Sequence, residues 1–383
     1  MLSIAHLTSA HPRHDARIFG KQCRTLADHG HRVTLVVADG RGDEYRHGVH
    51  IVDAGAARGR LQRMISATTR VYRCALALAP DVVQLHDPEL LPAGLLLQRH
   101  GCKVIFDAHE DVPRQLLGKP YLPPWTRRAL AAAYARFEHQ ACRRLDGVIT
   151  ATPFIRERFE RINRATVDIN NYPMPEEFGA DLAWADKPLQ VCYAGGLSAI
   201  RGIAELVRAC ELLQTPVRLQ LAGAFSEPAL AAQLRARPGW RHIDALGQLA
   251  RGDVAALLGA SRAGLVTLHP TLNHIDALPV KMFEYMAAGI PVIASDFPRW
   301  RAIIEGDGAD GSVSGTGGAG GTGGACGLCV DPYDPPAIAA AIDYLAGHPD
   351  IARRMGENGR RAVRTRYNWR SQSTKLIDFY DHL

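Results

Sequence analysis

Residues 269–296 (HPTLNHIDALPVKMFEYMAAGIPVIASD) constrain this chain more than any other stretch. A short apolar, β-branched run leads into it (263–268, AGLVTL) and another closes it (291–294, PVIA), so both read as buried strands of a parallel sheet. Pro279 suits the first turn of a helix and Gly289 the residue just past its end, which predicts one helix over 280–288. That helix opens at the carboxyl end of a strand. Open α/β sheets bind ligands there, and unpaired N–H groups plus the helix dipole attract an anion such as a phosphate. Lys281 in the first turn opposes the dipole, so its presence points to a negatively charged ligand in front of it. Glu284 lies on a neighbouring face, and Asp276 precedes the helix in the loop. A carboxylate in this place accepts hydrogen bonds from sugar or ribose hydroxyls. A capped surface helix with solvated charges would carry the same pattern.

The same alternation of strand and helix runs through the chain. At 383 residues it suits two domains rather than one core. In the first half, runs at 2–7, 32–37, 49–52, 82–85, 104–106 and 147–151 read as strands, with helices at 18–27 and 126–144 between them. This is a doubly wound α/β domain. Its carboxyl-edge loops carry polar clusters: SAHPRHDAR with His11, Asp15 and Arg17, LHDPELLP with His86 and Asp87, and FDAHED with His109, Glu110 and Asp111. These groups should converge on one crevice, although helix capping alone would account for Asp87 and Asp111. The prolines and asparagines at 169–175 rule out regular structure and suit a join. After it, a strand at 189–194 runs into Gly195 and Gly196, then Arg201, then a helix at 203–213. A glycine pair straight after a strand lets backbone approach a pyrophosphate, and Arg201 adds a bidentate contact.

Charge and cysteine use narrow the function classes. Residues 1–180 hold 25 Lys and Arg against 19 Asp and Glu, a net of +6, whereas residues 181–383 hold 20 against 20. With no nucleic-acid module in the chain, this excess points to an anionic acceptor or membrane face rather than nucleic acid. A basic amphipathic helix is expected over 56–73, with Leu61, Met64, Ile65 and Val71 on one side and Arg58, Arg60, Arg63, Arg70 and Arg73 elsewhere; anionic lipid or plain solvent would suit it. No apolar run approaches a membrane span, which reads as a chain of the cytosol without an export signal. The eight cysteines form no framework, as for reduced thiols. Residues 306–325 (GDGADGSVSGTGGAGGTGGA) are glycine-rich low complexity, read as a flexible surface insertion.

Asp276 and Glu284, separated by seven residues and followed by AAGIPV at 287–292, resemble the donor motif of retaining, family-4-type glycosyltransferases of the GT-B fold. The order of His11, Pro12, Asp15 and Arg17 is similar to a subset of bacterial polysaccharide-assembly members. The resemblance covers nearly the whole chain except the insertion. It implies two Rossmann-like parallel-sheet domains facing across a crevice: an acceptor domain at 1–175, a nucleotide-sugar domain at 176–366, and a terminal helix at 367–383 crossing back to the first. It also implies a role for each matched residue. Glu284 binds the nucleotide ribose, Asp276 and His109 approach the donor sugar, and the loop with Leu246 lies against the base. Two basic residues flank the diphosphate in the family; the first position is glycine here (Gly196), Arg201 takes the second, and Lys281 becomes the candidate for the missing charge. His11, Asp15, Arg17, His86, Asp87 and Glu110 then fall on the acceptor side.

The implied reaction moves a sugar from a nucleotide diphosphate to a hydroxyl of a glycan, lipid-linked or small acceptor, in cell-envelope or exopolysaccharide synthesis at the inner face of the membrane. The family needs neither metal nor cofactor. A nucleotide-sugar epimerase on a similar fold, or a silent sugar-nucleotide-binding protein, stands as the alternative.

Overall fold

The structure is a computed structural model that describes residues 1–57, 59, 62–119, 122–179, 182–306 and 324–383. The chain divides into two compact units, Met1–Asn171 with Trp369–Leu383, and Tyr172–Asn368.

The first unit is built on eight strands: β1 (Ser3–Leu7), β2 (Arg32–Val37), β3 (Glu44–Arg46), β4 (Val49–Asp53), β5 (Val82–Leu85), β6 (Lys103–Ala108), β7 (Gly147–Thr150) and β8 (Thr166–Asp168). Their order is β3-β4-β2-β1-β5-β6-β7-β8, and every pairing is parallel except β3 with β4. The central strands are apolar and buried on both faces, as a sheet covered by helices on each side demands. The chain winds outward from β1 through β2 and β4, then returns to lay β5 on the other side of β1. The winding therefore reverses between β1 and β5, and the loops leaving their carboxyl ends flank the reversal.

Two expected helices of this unit differ in the structure. The one expected at 18–27 starts as a π-helical turn, Ile18–Cys23, before the α-helix Arg24–Asp28. Asp15 causes this, because its carbonyl accepts from both Phe19 N (3.0 Å) and Gly20 N (2.9 Å), which widens the turn by one residue. In the basic segment the described helix includes the turn Arg63–Ala67 and continues as Thr68–Leu78; Arg58, Arg60 and Leu61 lie outside the described residues. Its sides are also not as expected. Val71 is buried while Met64 and Ile65 are exposed, and Arg70 donates to the carbonyls of Ala54, Gly55 and Ala56. The helix Trp369–Asp381 belongs to this unit and is held by polar contacts: Trp369 Nε1 donates to Thr25 Oγ1 (3.0 Å), and Gln372 Oε1 accepts from Asn170 N (2.8 Å).

The second unit has six strands, all parallel: β9 (Gln190–Ala194), β10 (Arg218–Ala222), β11 (Ile243–Gly247), β12 (Gly264–Val266), β13 (Val292–Ser295) and β14 (Gly327–Val330), in the order β11-β10-β9-β12-β13-β14. Here the winding reverses between β9 and β12. The helix that follows β12 is Val280–Ala287, one residue shorter than expected, with Pro279 as its N-cap. Gly289 (φ 69°) turns the chain out of it in the left-handed region that glycine favours. Met282, Phe283, Tyr285 and Met286 are all buried, each contributing about 1.5 to 3 kcal/mol of hydrophobic stabilisation, so the helix is fixed rigidly over the sheet. Residues 307–323 lie outside the described residues, and the chain beyond them returns to Ile304, whose carbonyl accepts from Cys326 N at 2.7 Å.

Candidate donor and acceptor sites

In the second unit the loops after β9 and β12 meet at the winding reversal. Gly195 follows β9 with φ 139°, a conformation that L side chains rarely adopt, and a Cβ there would stand 2.8 Å from Lys281 Nζ, which would have to shift. Lys281 Nζ sits 3.6 Å from the centroid of the Tyr193 ring and is buried without a hydrogen-bond partner. Burial first, and the nearby Arg201 guanidinium second, push its pKa well below the ordinary lysine value. The Arg201 guanidinium flanks the next residue, 3.6 Å from where a Gly196 Cβ would stand. Tyr193 completes the loop by donating its hydroxyl to Gly196 O at 3.0 Å. Two cations thus converge on one glycine pair. Such an arrangement repels itself unless an anion lies between the charges, and the N-termini of the following helices favour the same anion.

Glu284 lies one turn further along the Lys281 helix and is buried. Its Oε1 accepts from Arg251 Nη1 (2.5 Å), and Arg251 in turn reaches Glu177 Oε2 at 2.6 Å and covers the Phe178 ring. Asp276 stands apart in the loop, its Oδ1 3.6 Å from Arg299 Nε, and Leu246 is exposed on β11. His274 was not singled out in the sequence. Its Nδ1 is 3.0 Å from His269 O, and burial, with Arg201 and Lys281 nearby, lowers its pKa.

In the first unit the loops after β1, β5 and β6 bring a second group together. Asp87 is buried, and its Oδ2 accepts from Thr8 Oγ1 (2.8 Å), Ser9 N (2.6 Å) and Ala10 N (3.2 Å). The other oxygen lies 3.4 Å from His11 Nε2, while His11 Nδ1 faces Asp15 Oδ2 at 3.8 Å. Burial opposes the imidazolium of His11, but these carboxylates outweigh it and raise its pKa; Asp15 falls to about 2 by the reciprocal effect of His11 and of the Ile18 and Arg17 amides against its own burial.

Next to this group lies Asp107, which the sequence motifs do not mark. Asp107 ends a strand of otherwise apolar residues (KVIFDA) and is fully buried. Arg17 donates to both of its oxygens (2.7 and 3.2 Å), Gln22 donates to Oδ2 (2.8 Å), and His86 Nδ1 and His109 Nε2 lie 3.2 and 3.1 Å from that oxygen. Burial alone would raise this carboxyl, yet Arg17 and the histidines hold it well below the usual range. Its signal in the sequence was an acid placed inside a buried strand, which is rare without a partner.

Not every expected residue joins the group. Arg17 is buried against Asp107 and Ile169 O rather than open to an acceptor, because an unpaired carboxylate at that depth would be too costly. Glu110 turns away to accept from Gln115, and Asp111 caps the helix Val112–Leu117 by accepting from Arg114 N. His11, Asp15, His86, Asp87 and His109 do come together.

Two parallel-sheet α/β units of this topology make the fold GT-B. The sucrose-phosphate synthase from Thermosynechococcus elongatus is similar in structure, with a TM-score of 0.76 at 19% identity over 99% of this chain and 98% of that one. Anabaena HepE, solved in complex with UDP-glucose, has a TM-score of 0.72 at 15% identity with both chains covered in full. In sequence, residues 16–170 match the family described as Glycosyl transferase 4-like domain, and residues 175–362 match Glycosyl transferases group 1. The MMP alpha-(1->4)-mannosyltransferase of Mycolicibacterium hassiacum is 24% identical over 330 residues, covering 82% of this chain and 73% of that protein. The chain belongs to the glycosyltransferases of the GT-B fold.

Proposed function

We propose that this glycosyltransferase is a retaining enzyme of the family-4 type that moves a hexose from a nucleotide-diphosphate sugar to a hydroxyl of a glycan or lipid-linked acceptor in cell-envelope or exopolysaccharide synthesis. The observation that carries the reading is the buried ammonium of Lys281, without a hydrogen-bond partner, beside Arg201 at the Gly195-Gly196 backbone. The donor diphosphate lies between these cations, with Glu284 on the ribose, Leu246 near the base and Asp276 toward the sugar. As the bond from the anomeric carbon to the phosphate oxygen breaks, charge grows on the leaving diphosphate, and Arg201 and Lys281 stabilise it. The acceptor oxygen attacks the same face, and its proton passes to the departing phosphate oxygen. The products are the glycoside and a nucleoside diphosphate, and the two side chains provide the neutralising charge without a metal.

His11, Asp15, His86 and Asp87 make the acceptor-side group of the first unit, with His109 beside His86. The basic excess of residues 1–180 and the exposed Met64 and Ile65 support work at the inner face of a membrane, and no described helix is long and apolar enough to cross one. The test is a screen of uridine and guanosine diphosphate sugars, reading release of nucleoside diphosphate. Release with one donor, faster when acceptor is added, supports transfer. Isomerised donor without release makes the chain an epimerase, and binding without either makes it a silent binder.

A further inference from the structure

Glu284 carries its carboxylate on a flexible side chain, yet a ribose site needs that carboxylate in one place. Arg251, the first residue of the helix Arg251–Ala260, supplies a fixing contact. Its Nη1 donates to Glu284 Oε1 at 2.5 Å, so one oxygen of the carboxylate is taken. Among the described residues nothing donates to Oε2, and the Glu284 side chain keeps 11% exposure. The guanidinium is itself held from its far side. Nε and Nη2 both donate to Glu177 Oε2, at 3.0 and 2.6 Å, and the group lies 5.1 Å from the centre of the Phe178 ring, which is buried on the same short turn, Pro175–Phe178. Three stretches of chain thus meet in one planar fork, and the carboxylate at its end has one bound oxygen and one open.

We propose that Arg251 is the positioning residue of the ribose site: it holds Glu284 by Oε1 so that Oε2 meets the ribose hydroxyls, and selection of ribose-bearing nucleotides depends on it. This rests on the donor reading given above and deepens it. A carboxylate fixed in advance loses no freedom when the hydroxyls arrive, whereas a free one has to be ordered at that moment. Arg251 also offsets the negative charge of Glu284, which otherwise stands one turn along the helix from Lys281, where the diphosphate lies in that reading. A contact that served folding alone would look different. The Arg251 side chain is 47% exposed, and ion pairs with so open a partner add little to stability, so loss of the arginine should leave the fold standing.

The full chain is titrated in a calorimeter with uridine and guanosine diphosphate and with their 2′,3′-dideoxy forms, which lack the hydroxyls that Glu284 would accept from. Wild type should favour the ribo form. Arg251→Met, which keeps an apolar stem over Phe178, should cut the ratio of ribo to dideoxy affinity about tenfold, through the ribo form alone. Arg251→Lys should recover part of the ratio, because a point charge does not span both carboxylates as the fork does. Glu177→Gln, which loosens the far side of Arg251, should lower the ratio less and in the same direction, and it decides alone if Arg251→Met does not melt cooperatively. An equal loss with both forms would make Arg251 a contact of the fold only and overturn the proposal, as would an unchanged ratio in Arg251→Met or, where that variant does not fold, in Glu177→Gln. A wild-type chain that binds both forms alike removes the ribose contact of Glu284 and the proposal with it, whereas one that binds no nucleotide overturns the donor reading itself.

Discussion

Replacing Lys281 with alanine separates a functional cation from a decorative one. Its ammonium is buried over the Tyr193 ring with no hydrogen-bond partner, so beyond that ring contact and the Coulombic pull of Glu284 the resting protein offers it little. Against a phosphate oxygen about 4 Å away, a unit charge at the effective dielectric of such sites contributes about 4 kcal/mol, and loss of one preorganised donor to developing charge costs roughly 2 to 4 kcal/mol. Turnover should therefore fall roughly 30- to 1,000-fold, with the KM for donor changed far less. Folding should move the other way. A lysine whose folded pKa is depressed binds fewer protons folded than unfolded between the two pKa values, so its penalty is fully present below the folded pKa and fades as pH rises toward 10.5. Lys281→Ala should thus melt at or above the wild-type temperature near pH 7, with the difference shrinking as pH rises. The double variant Lys281→Ala with Gly196→Arg should recover turnover, since a Cβ at position 196 meets only ordinary contacts at 3.6 Å and beyond. The assay is steady-state release of nucleoside diphosphate at saturating donor. Wild-type turnover in Lys281→Ala would remove this residue from the site.

Glu284→Gln should weaken donor binding by about 1.5 to 3 kcal/mol in calorimetry, because a neutral amide accepts weaker hydrogen bonds from the ribose; unchanged affinity would remove the ribose role. Arg17→Met should destabilise the first unit by about 3 to 5 kcal/mol in urea, since it leaves Asp107 buried without its main counter-charge, and a shift under about 1 kcal/mol would show that the histidines suffice. Deleting residues 308–324 should leave the cooperative melt and turnover nearly intact, with about 1 kcal/mol of closure entropy at stake, because the Cys326 N to Ile304 O bond of 2.7 Å already brings the flanks together. Activity reduced tenfold would show that the segment acts in function.

What could be read from the sequence was local. The helix after β12 announced itself through Pro279 and Gly289, and the glycine pair after β9 through its place behind an apolar run. The short strands β3 (EYR) and β8 (TVD) escaped notice because, unlike the equally short β12, they sit in no apolar run. The π-helical turn escaped because it depends on one carbonyl, that of Asp15, accepting twice. Pairings between distant residues were also invisible. Arg251 meets Glu284 across 33 positions, and Arg17 meets Asp107 across 90, so neither spacing reveals a partner. The basic segment misled for a related reason: Arg70 looks like a free surface charge until the fold brings the carbonyls of residues 54–56 to it.

If the second unit binds a nucleotide-diphosphate sugar and the sugar is transferred with retention, the configuration at the anomeric carbon must survive the reaction. The measurement that tests it most directly is proton NMR of the reaction with the donor chosen by the screen, following the anomeric signal from donor to product as nucleoside diphosphate is released. A retaining transferase gives a product with the donor's own anomeric configuration, formed in step with that release. A product of opposite configuration, or no release with any nucleotide sugar in the presence of acceptor, would contradict it.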